Sequence, residues 1–166
     1  MSKARGIVRA VRISSVATQH LLQKEGRTVC ADCPTRWNST YLMLKRLLDI
    51  RPGLTDVYET MGWDSLLASE WQKIDEICTL LQPFYEHMQA DSVALSNVLP
   101  VLLDLKCHLQ LSQDVPNVNV TATSMLTAFD HRFSKLLNCA EEGFDPLAAS
   151  ACYLDPLTRS TCKQTC

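Results

Sequence analysis

A long stripe of apolar residues that recurs at alternating steps of four and three is the feature that most constrains the fold of this chain. The stripe consists of Leu67, Trp71, Ile74, Cys78, Leu81, Tyr85 and Met88. On a helix this spacing places the side chains on one face, so the segment predicts one long helix with a buried side. Pro83 lies inside the stripe and crowds the turn at Thr79, so a kink or two successive helices are expected there.

Apolar residues at helical spacing recur through the rest of the chain, whereas strand patterns are almost absent. Further helices are predicted at residues 5–24, 38–48, 54–61, 96–109, 126–143 and 144–151. Gly26 and Gly62 are the expected stops of two of these helices, and Ser96 is a candidate cap for another. A turn at residues 51–53 and a loop at residues 112–120 are expected between them.

The composition fits one globular domain built from these helices. The chain has 166 residues, of which 46% are hydrophobic and 20% are charged. We therefore predict an all-α fold, an irregular array of six to eight helices in a single domain over residues 1–159. Residues 1–34 are expected to form a basic lead-in helix and an extended segment, because Pro34 disfavours helical geometry at Cys33.

The run Thr35-Arg36-Trp37-Asn38-Ser39-Thr40 combines an arginine, a tryptophan and a helix start. Asn38 and Ser39 have side-chain oxygens that can cap a helix, which would put Arg36 and Trp37 at its N-terminus. That end of a helix attracts phosphate, a guanidinium adds to the attraction, and an indole face can stack on a base. The alternative is that Trp37 is a core residue and Arg36 a salt-bridging group. Residue type alone favours this alternative, because tryptophan is mostly buried.

Basic residues are concentrated at the start of the chain, although the net charge of the whole is −2. Residues 1–46 contain nine basic and two acidic residues, a net charge of +7, so the remainder carries −9. Arg5, Arg9 and Arg12 lie four and three positions apart, on one helical face that can follow a nucleic-acid backbone. The alternative is a charged helix face that is merely solvated.

The stretch Asp32 to Leu44 resembles the signature D-x-x-T-R-W-N-S-T-x-x-M-L of hAT-superfamily transposases and of host proteins derived from them, many of which carry a BED zinc finger. Three other stretches resemble landmarks of that family, in the family's order. They are L-L-Q-P-F at residues 80–84, V-L-P at residues 98–100, and residues 149–159 with L-D-P at 154–156. The resemblance covers roughly residues 5–159, whereas residues 160–166 form a divergent tail.

The resemblance implies that the chain corresponds to the helical insertion domain of an RNase H-like transposase, without the RNase H-like sheet. Enzymes of this family cut DNA with three carboxylates that hold divalent metal ions, and the resemblance places neither Asp32 nor Asp155 among them. Transfer onto the matching positions gives Arg36 a phosphate contact and Trp37 a stacking role, with Asn38 capping the helix. No catalytic residue is expected in this chain.

The expected function is a non-enzymatic helical module of a domesticated or truncated transposase-derived protein in the nucleus. DNA is the expected partner, bound weakly by this segment alone, and the apolar helix stripes are expected to support association with other proteins or with a second copy. Two alternatives remain open. One is a fragment of an active DNA transposase whose catalytic carboxylates lie outside this chain, and the other is a non-functional relic.

Cysteine and histidine patterns give little reason to expect a metal. The pairs Cys30/Cys33 and Cys162/Cys166 could supply four thiolates to zinc, but a free cysteine in an apolar stripe, such as Cys78, behaves as a small hydrophobe. The four histidines form no metal motif, and five glycines leave no phosphate-binding loop. We therefore predict no metal site and no cofactor in this segment, and no apolar run long enough for a membrane.

Overall fold

The computed structural model describes residues 1–33, 35–89 and 94–159, and within these residues it contains eight α-helices and no β-strand. The helices are α1 (Ser2–Ile13), α2 (Ser15–Glu25), α3 (Trp37–Asp49), α4 (Arg51–Met61), α5 (Ala68–Met88), α6 (Leu95–Ser112), α7 (Asn119–Leu137) and α8 (Leu147–Leu154). The prediction of an all-α array of six to eight helices is confirmed. None of these helices is both long and apolar enough to span a bilayer.

The chain divides into two compact units, Met1–Gln82 and Pro83–Cys166. In the first unit α1 packs on α2, and α4 packs on both α2 and α3. In the second unit α6 packs on both α7 and α8. The sequence predicted one domain over residues 1–159, and that grouping of the two units stays a prediction.

The first predicted helix is two helices, because the chain breaks at Ser14. This residue has extended backbone angles, φ −88° and ψ 110°, and its Oγ accepts a hydrogen bond of 3.2 Å from the N–H of Ala17. Serine side chains favour such a cap over a helix interior, so the run Ile13-Ser14-Ser15-Val16 ends one helix and starts the next. Gly26 then ends α2 with a left-handed φ of 65°, as expected.

Helix α4 begins earlier than the sequence indicated. Residues 51–53 were expected to form a turn, yet they are the first turn of the helix. Proline is tolerated there because the first N–H groups of a helix have no partner within it. Gly62 ends α4 with a φ of 65°, which confirms the predicted stop.

A kink or two successive helices were expected at Pro83; helix α5 is continuous through this residue, so the second of these alternatives is wrong. Its buried residues are Trp71, Ile74, Cys78 and Leu80. Leu67 and Met88, the ends of the predicted stripe, are exposed, and Leu81 is only half-buried. Leu80 follows Cys78 by two residues, which is about 200° around a helix of ~3.6 residues per turn, so it is buried on a different face from the predicted stripe.

In the second unit the predicted elements are present with shifted ends. Helix α6 is preceded by Ala94, and the expected cap Ser96 lies inside the helix, buried, where it is hydrogen-bonded to the carboxylate of Asp155. Helix α7 ends at Leu137, before the predicted limit at Gly143. Asp155 follows α8 and accepts a 2.9 Å hydrogen bond from the N–H of Leu157, which makes it a turn residue.

Candidate nucleic-acid interface

Helix α3 begins at the Arg-Trp pair, as the sequence predicted. Arg36 is the N-cap residue, with extended backbone angles of φ −127° and ψ 102°, and Trp37 is the first helical residue. Helix start and guanidinium therefore coincide, and both favour an anion. Trp37 follows Arg36 directly in the chain, so an aromatic residue is present at the same helix start.

The predicted capping by Asn38 or Ser39 is wrong, because both residues lie within the first turn of α3. The Oγ of Ser39 accepts a 2.8 Å hydrogen bond from the N–H of Cys33 and lies 3.0 Å from the Cys33 carbonyl oxygen and 2.7 Å from that of Arg36. This hydroxyl ties the extended segment before the helix to its first turn. The tie holds Arg36 in the extended conformation that opens the helix.

The exposure of the pair argues against the alternative of a core tryptophan and a salt-bridging arginine. The side chain of Trp37 is 39% exposed, so it is not the core residue that its type suggested. Arg36 is exposed, and it forms no ion pair with any residue that the structure describes. A large aromatic and an unpaired guanidinium therefore stand in solvent together, which neither core packing nor a surface salt bridge explains.

The arginines of α1 line one side of a cleft of about 410 Å³ in the first unit. The buried side of α1 is formed by Ala4, Ile7, Val8 and Val11, and Val8 also reaches the cleft. The cleft is lined by Arg5, Val8, Arg9, Arg12, Ile13, Ala31, Asp32 and Met43. The predicted spacing of Arg5, Arg9 and Arg12 is thus confirmed as geometry, and their DNA contact stays a prediction.

Arg5 differs from the other two arginines because it is engaged with Asp32. Its Nε and Nη2 both donate to Oδ2 of Asp32, at 2.9 Å and 2.7 Å. The hydroxyl of Thr40 donates to the same oxygen at 3.0 Å. The hydrogen bond from Arg5 lowers the pKa of the Asp32 carboxyl, so this carboxylate stays ionised at neutral pH. Arg5 is a structural tie between α1, the extended segment and α3, and Asp32 neutralises its charge.

Other basic residues of the first 46 are also engaged within the first unit. Lys3 pairs with Glu70 at 2.6 Å, Lys24 pairs with Asp56, and Nη1 of Arg46 donates to the carbonyl of Thr28 at 3.0 Å. Within the part of the chain that the structure describes, the arginines left without an ion pair or hydrogen bond in residues 1–46 are Arg9, Arg12, Arg27 and Arg36. Of these, Arg27 was not singled out by the sequence.

Asp32 and Cys33 link the cleft of the α1 arginines to the start of α3. Asp32 lines the cleft and accepts from Thr40, and its neighbour Cys33 is hydrogen-bonded to Ser39 of the first turn of α3. Ala31 and Asp32 therefore line the cleft, and Cys33 supports the start of α3. We name this region, made of Arg9, Arg12, Arg36, Trp37 and segment 31–33, the arginine face.

The two cysteines of the C-x-x-C run have separate environments. The Cys30 thiol donates weakly to the carbonyl of Leu42 at 3.5 Å, and burial raises its pKa. Sγ of Cys33 lies 3.2 Å from the hydroxyl of Thr35, whose hydrogen bond lowers the pKa of this thiol. The described residues contain no group of three or more metal-ligand side chains, and Cys162 and Cys166 lie outside them. The absence of a cofactor stays a prediction.

Residues 1–80 match the family model described as the ZBED1 RNase-like helical domain. This segment contains the arginine face and the signature resembling that of hAT transposases. This match and the relatives below support a transposase-derived protein of the hAT superfamily, to whose helical domain the first 80 residues are similar.

The relatives that it matches agree with this assignment. The chain is 26% identical over 168 residues to Zinc finger BED domain-containing protein 4 of Homo sapiens, covering 94% of this chain and 14% of that protein. It is 24% identical over 169 residues to the Putative AC transposase of Zea mays, covering 94% of this chain and 20% of that protein. A third match, 25% identical over 113 residues, is Zinc finger BED domain-containing protein RICESLEEPER 2 of Oryza sativa subsp. japonica, covering 66% of this chain and 16% of that protein.

The chain therefore spans a fifth or less of the length of these relatives. No solved structure matches it. What the comparisons support is a helical module of a transposase-derived protein.

Proposed function

We propose that this chain is a non-enzymatic, DNA-contacting helical module of a transposase-derived nuclear protein. In this proposal Arg36 binds a backbone phosphate at the N-terminus of α3, Trp37 stacks on an unpaired base, and Arg9 and Arg12 contact neighbouring phosphates. Phosphate contacts supply affinity and stacking supplies preference for unpaired strands. The names of two relatives, a BED zinc finger protein and a transposase, support DNA binding and a nuclear location in this proposal.

A single observation carries the proposal: Trp37, 39% exposed, and the unpaired Arg36 stand together at a helix start. A large aromatic side chain in solvent exposes apolar area that a fold normally buries. The neighbouring Arg36 adds electrostatic attraction for a phosphate, which an aromatic side chain alone would not provide. A single strand offers both phosphates and bases, and this pair of residues can bind both.

Asp32 has no catalytic role in this proposal. Its carboxylate accepts from Arg5 and Thr40, so it acts as the support of the arginine face. Incubation of the chain with supercoiled plasmid and magnesium or manganese is expected to produce no nicking. Nicking that disappears in Asp32→Asn would establish the opposite, a catalytic carboxylate in this chain.

DNA binding is tested by fluorescence anisotropy with a labelled DNA hairpin that carries an unpaired flap. Trp37→Ala should weaken binding by about 1–3 kcal/mol, the loss of one stacked base. Arg36→Ala should weaken it through loss of a charge-assisted contact. The matched controls are Leu67→Ala, which removes an exposed apolar side chain elsewhere in the first unit, and Lys73→Ala, which removes an exposed charge on α5.

The controls distinguish a specific DNA-binding site from nonspecific attraction by charge or by exposed apolar surface. Equal losses in Arg36→Ala and Lys73→Ala would mean that net charge alone attracts DNA, and the site would be rejected. Wild-type affinity in Trp37→Ala, with circular dichroism showing a folded helical protein, would reject stacking. If the folded wild type does not bind the hairpin, the remaining interpretations are protein association or a relic without function.

Protein association is the second candidate, and it rests on the surface at Leu67, at the start of the predicted stripe. Leu67 lies just before α5 in the first unit and is 64% exposed although it is apolar. If this surface binds a second copy, sedimentation velocity should show concentration-dependent dimers that Leu67→Glu abolishes. A monomer at all concentrations would exclude self-association.

A further inference from the structure

The cleft beside α1 has two kinds of lining that no single structural role requires together. Its rim carries the guanidinium groups of Arg9 and Arg12, and its floor is formed by the buried side chains of Val8 and Met43. Ile13, which is 74% exposed, stands at its edge. A solvated charged face would not need an apolar floor.

The volume and the electrostatics indicate the class of ligand. A cleft of about 410 Å³ lies in the range of ~300–1,000 Å³ that holds small ligands. Two guanidinium groups without partners among the described residues favour an anion with several oxygens, and they bind phosphate in a bidentate manner. An apolar floor with an exposed isoleucine favours a flat, weakly polar group beside that anion.

The carboxylate of Asp32 in the cleft does not repel an anionic ligand strongly, because it is paired with Arg5. Asp32 lines the cleft with a side chain only 8% exposed, and its charge is neutralised by Arg5. Arg5 and Thr40 both donate to Oδ2 of Asp32, so this oxygen is engaged within the protein. The net charge that faces a ligand is therefore that of Arg9 and Arg12.

We infer that this cleft binds one nucleotide, with the phosphate on Arg9 and Arg12 and the base over Val8 and Met43 at the edge formed by Ile13. The inference rests on the proposed function for its assumption that DNA reaches this surface, and it adds a second base contact, distinct from Trp37. A nucleotide within a DNA strand and a free mononucleotide share this chemistry. The two sources are separated below by competition.

The test uses the full chain with 13C-methyl methionine and follows the methyl resonance of Met43 by NMR. Deoxyadenosine monophosphate should shift this resonance in a saturable manner, whereas Met125 on α7 should stay unchanged. Arg9→Ala and Arg12→Ala should each weaken binding by about tenfold or more, the loss of a charged hydrogen-bonding contact. Arg27→Ala, an exposed arginine outside the cleft lining, is the matched control and should leave binding unchanged.

Three further measurements decide the outcome. Trp37→Ala should leave mononucleotide binding intact while it weakens hairpin binding, which separates the cleft from the Arg-Trp pair. The inference would be overturned if inorganic phosphate bound as tightly as the mononucleotide, or if the Met43 resonance did not shift. Either outcome leaves the proposed hairpin binding through Trp37 unaffected. Displacement of the mononucleotide by a single-stranded oligonucleotide identifies the strand as the source, and failure to displace it identifies a free nucleotide.

Discussion

Leu44→Ala is the perturbation that tests most directly how the fold holds the start of α3. Leu44 lies on that helix and is 0% exposed. Its truncation removes about three buried carbon groups, or ~2.4 kcal/mol at ~0.8 kcal/mol per buried methylene. A rigid core leaves a cavity that raises the total to about 3–5 kcal/mol. Leu42, on the same helix, is 41% exposed, so Leu42→Ala leaves no closed cavity and should cost about 1 kcal/mol or less.

Urea denaturation followed by tryptophan fluorescence measures this difference. The three tryptophans, Trp37, Trp63 and Trp71, all lie in the first unit, so the signal reports on that unit. The free energy of unfolding should fall by about 3–5 kcal/mol in Leu44→Ala, with an unchanged dependence on urea concentration. Equal losses in the two variants, or a loss under about 1 kcal/mol in Leu44→Ala, would refute the buried face assigned to α3.

Two further predictions concern polar groups of the same unit. Tyr58→Phe should leave the free energy of unfolding unchanged or raise it by up to about 1 kcal/mol, because the buried Tyr58 hydroxyl has no hydrogen-bond partner among the described residues. A clear drop in the melting temperature of this variant would indicate that the hydroxyl has a partner. The pKa of Asp32 is lowered by Arg5, so the ionised pair stabilises the fold above the unfolded-state pKa of about 3.9, and that contribution is lost as the pH falls through the folded-state value. The melting temperature of Asp32→Asn should therefore be below that of the wild type at pH 7 and approach it below about pH 3.9, and a constant difference would contradict the linkage.

Local signals in the sequence predicted the elements well. The glycines that end α2 and α4 adopt the left-handed conformation expected of them, since a glycine has no Cβ to resist it. The ends of helices were less predictable where a polar side chain had a more distant partner. Ser96 was expected to cap α6, but its hydroxyl is hydrogen-bonded to Asp155, far along the chain. A capping pattern does not reveal such a competing partner.

The arginine face shows the same limit for a site. The spacing of Arg5, Arg9 and Arg12 correctly gave a shared helical face, and helix and guanidinium coincide at Arg36 as predicted. From the spacing alone Arg5 could not be distinguished from Arg9 and Arg12, because its partner Asp32 is 27 residues away in the chain. Exposure of Trp37 was likewise decided by tertiary packing, against the average behaviour of tryptophan.

The number of arginines without internal partners predicts how strongly DNA binding depends on salt concentration. Each phosphate neutralised on a single strand contributes a slope of about −0.7 to the logarithm of affinity against the logarithm of salt concentration. Three or four contacts, from Arg9, Arg12, Arg36 and at most Arg27, predict a slope of about −2 to −3, whereas contacts from all nine basic residues of the first 46 would give about −6. Anisotropy titrations over a range of sodium chloride concentrations measure the slope. Arg9→Ala should make it shallower by about 0.7, and Lys3→Ala should leave it unchanged, because Lys3 is paired with Glu70. A slope near −6 would mean that these internal ion pairs open on binding, and the arginine face would not be the pre-formed surface that the structure shows.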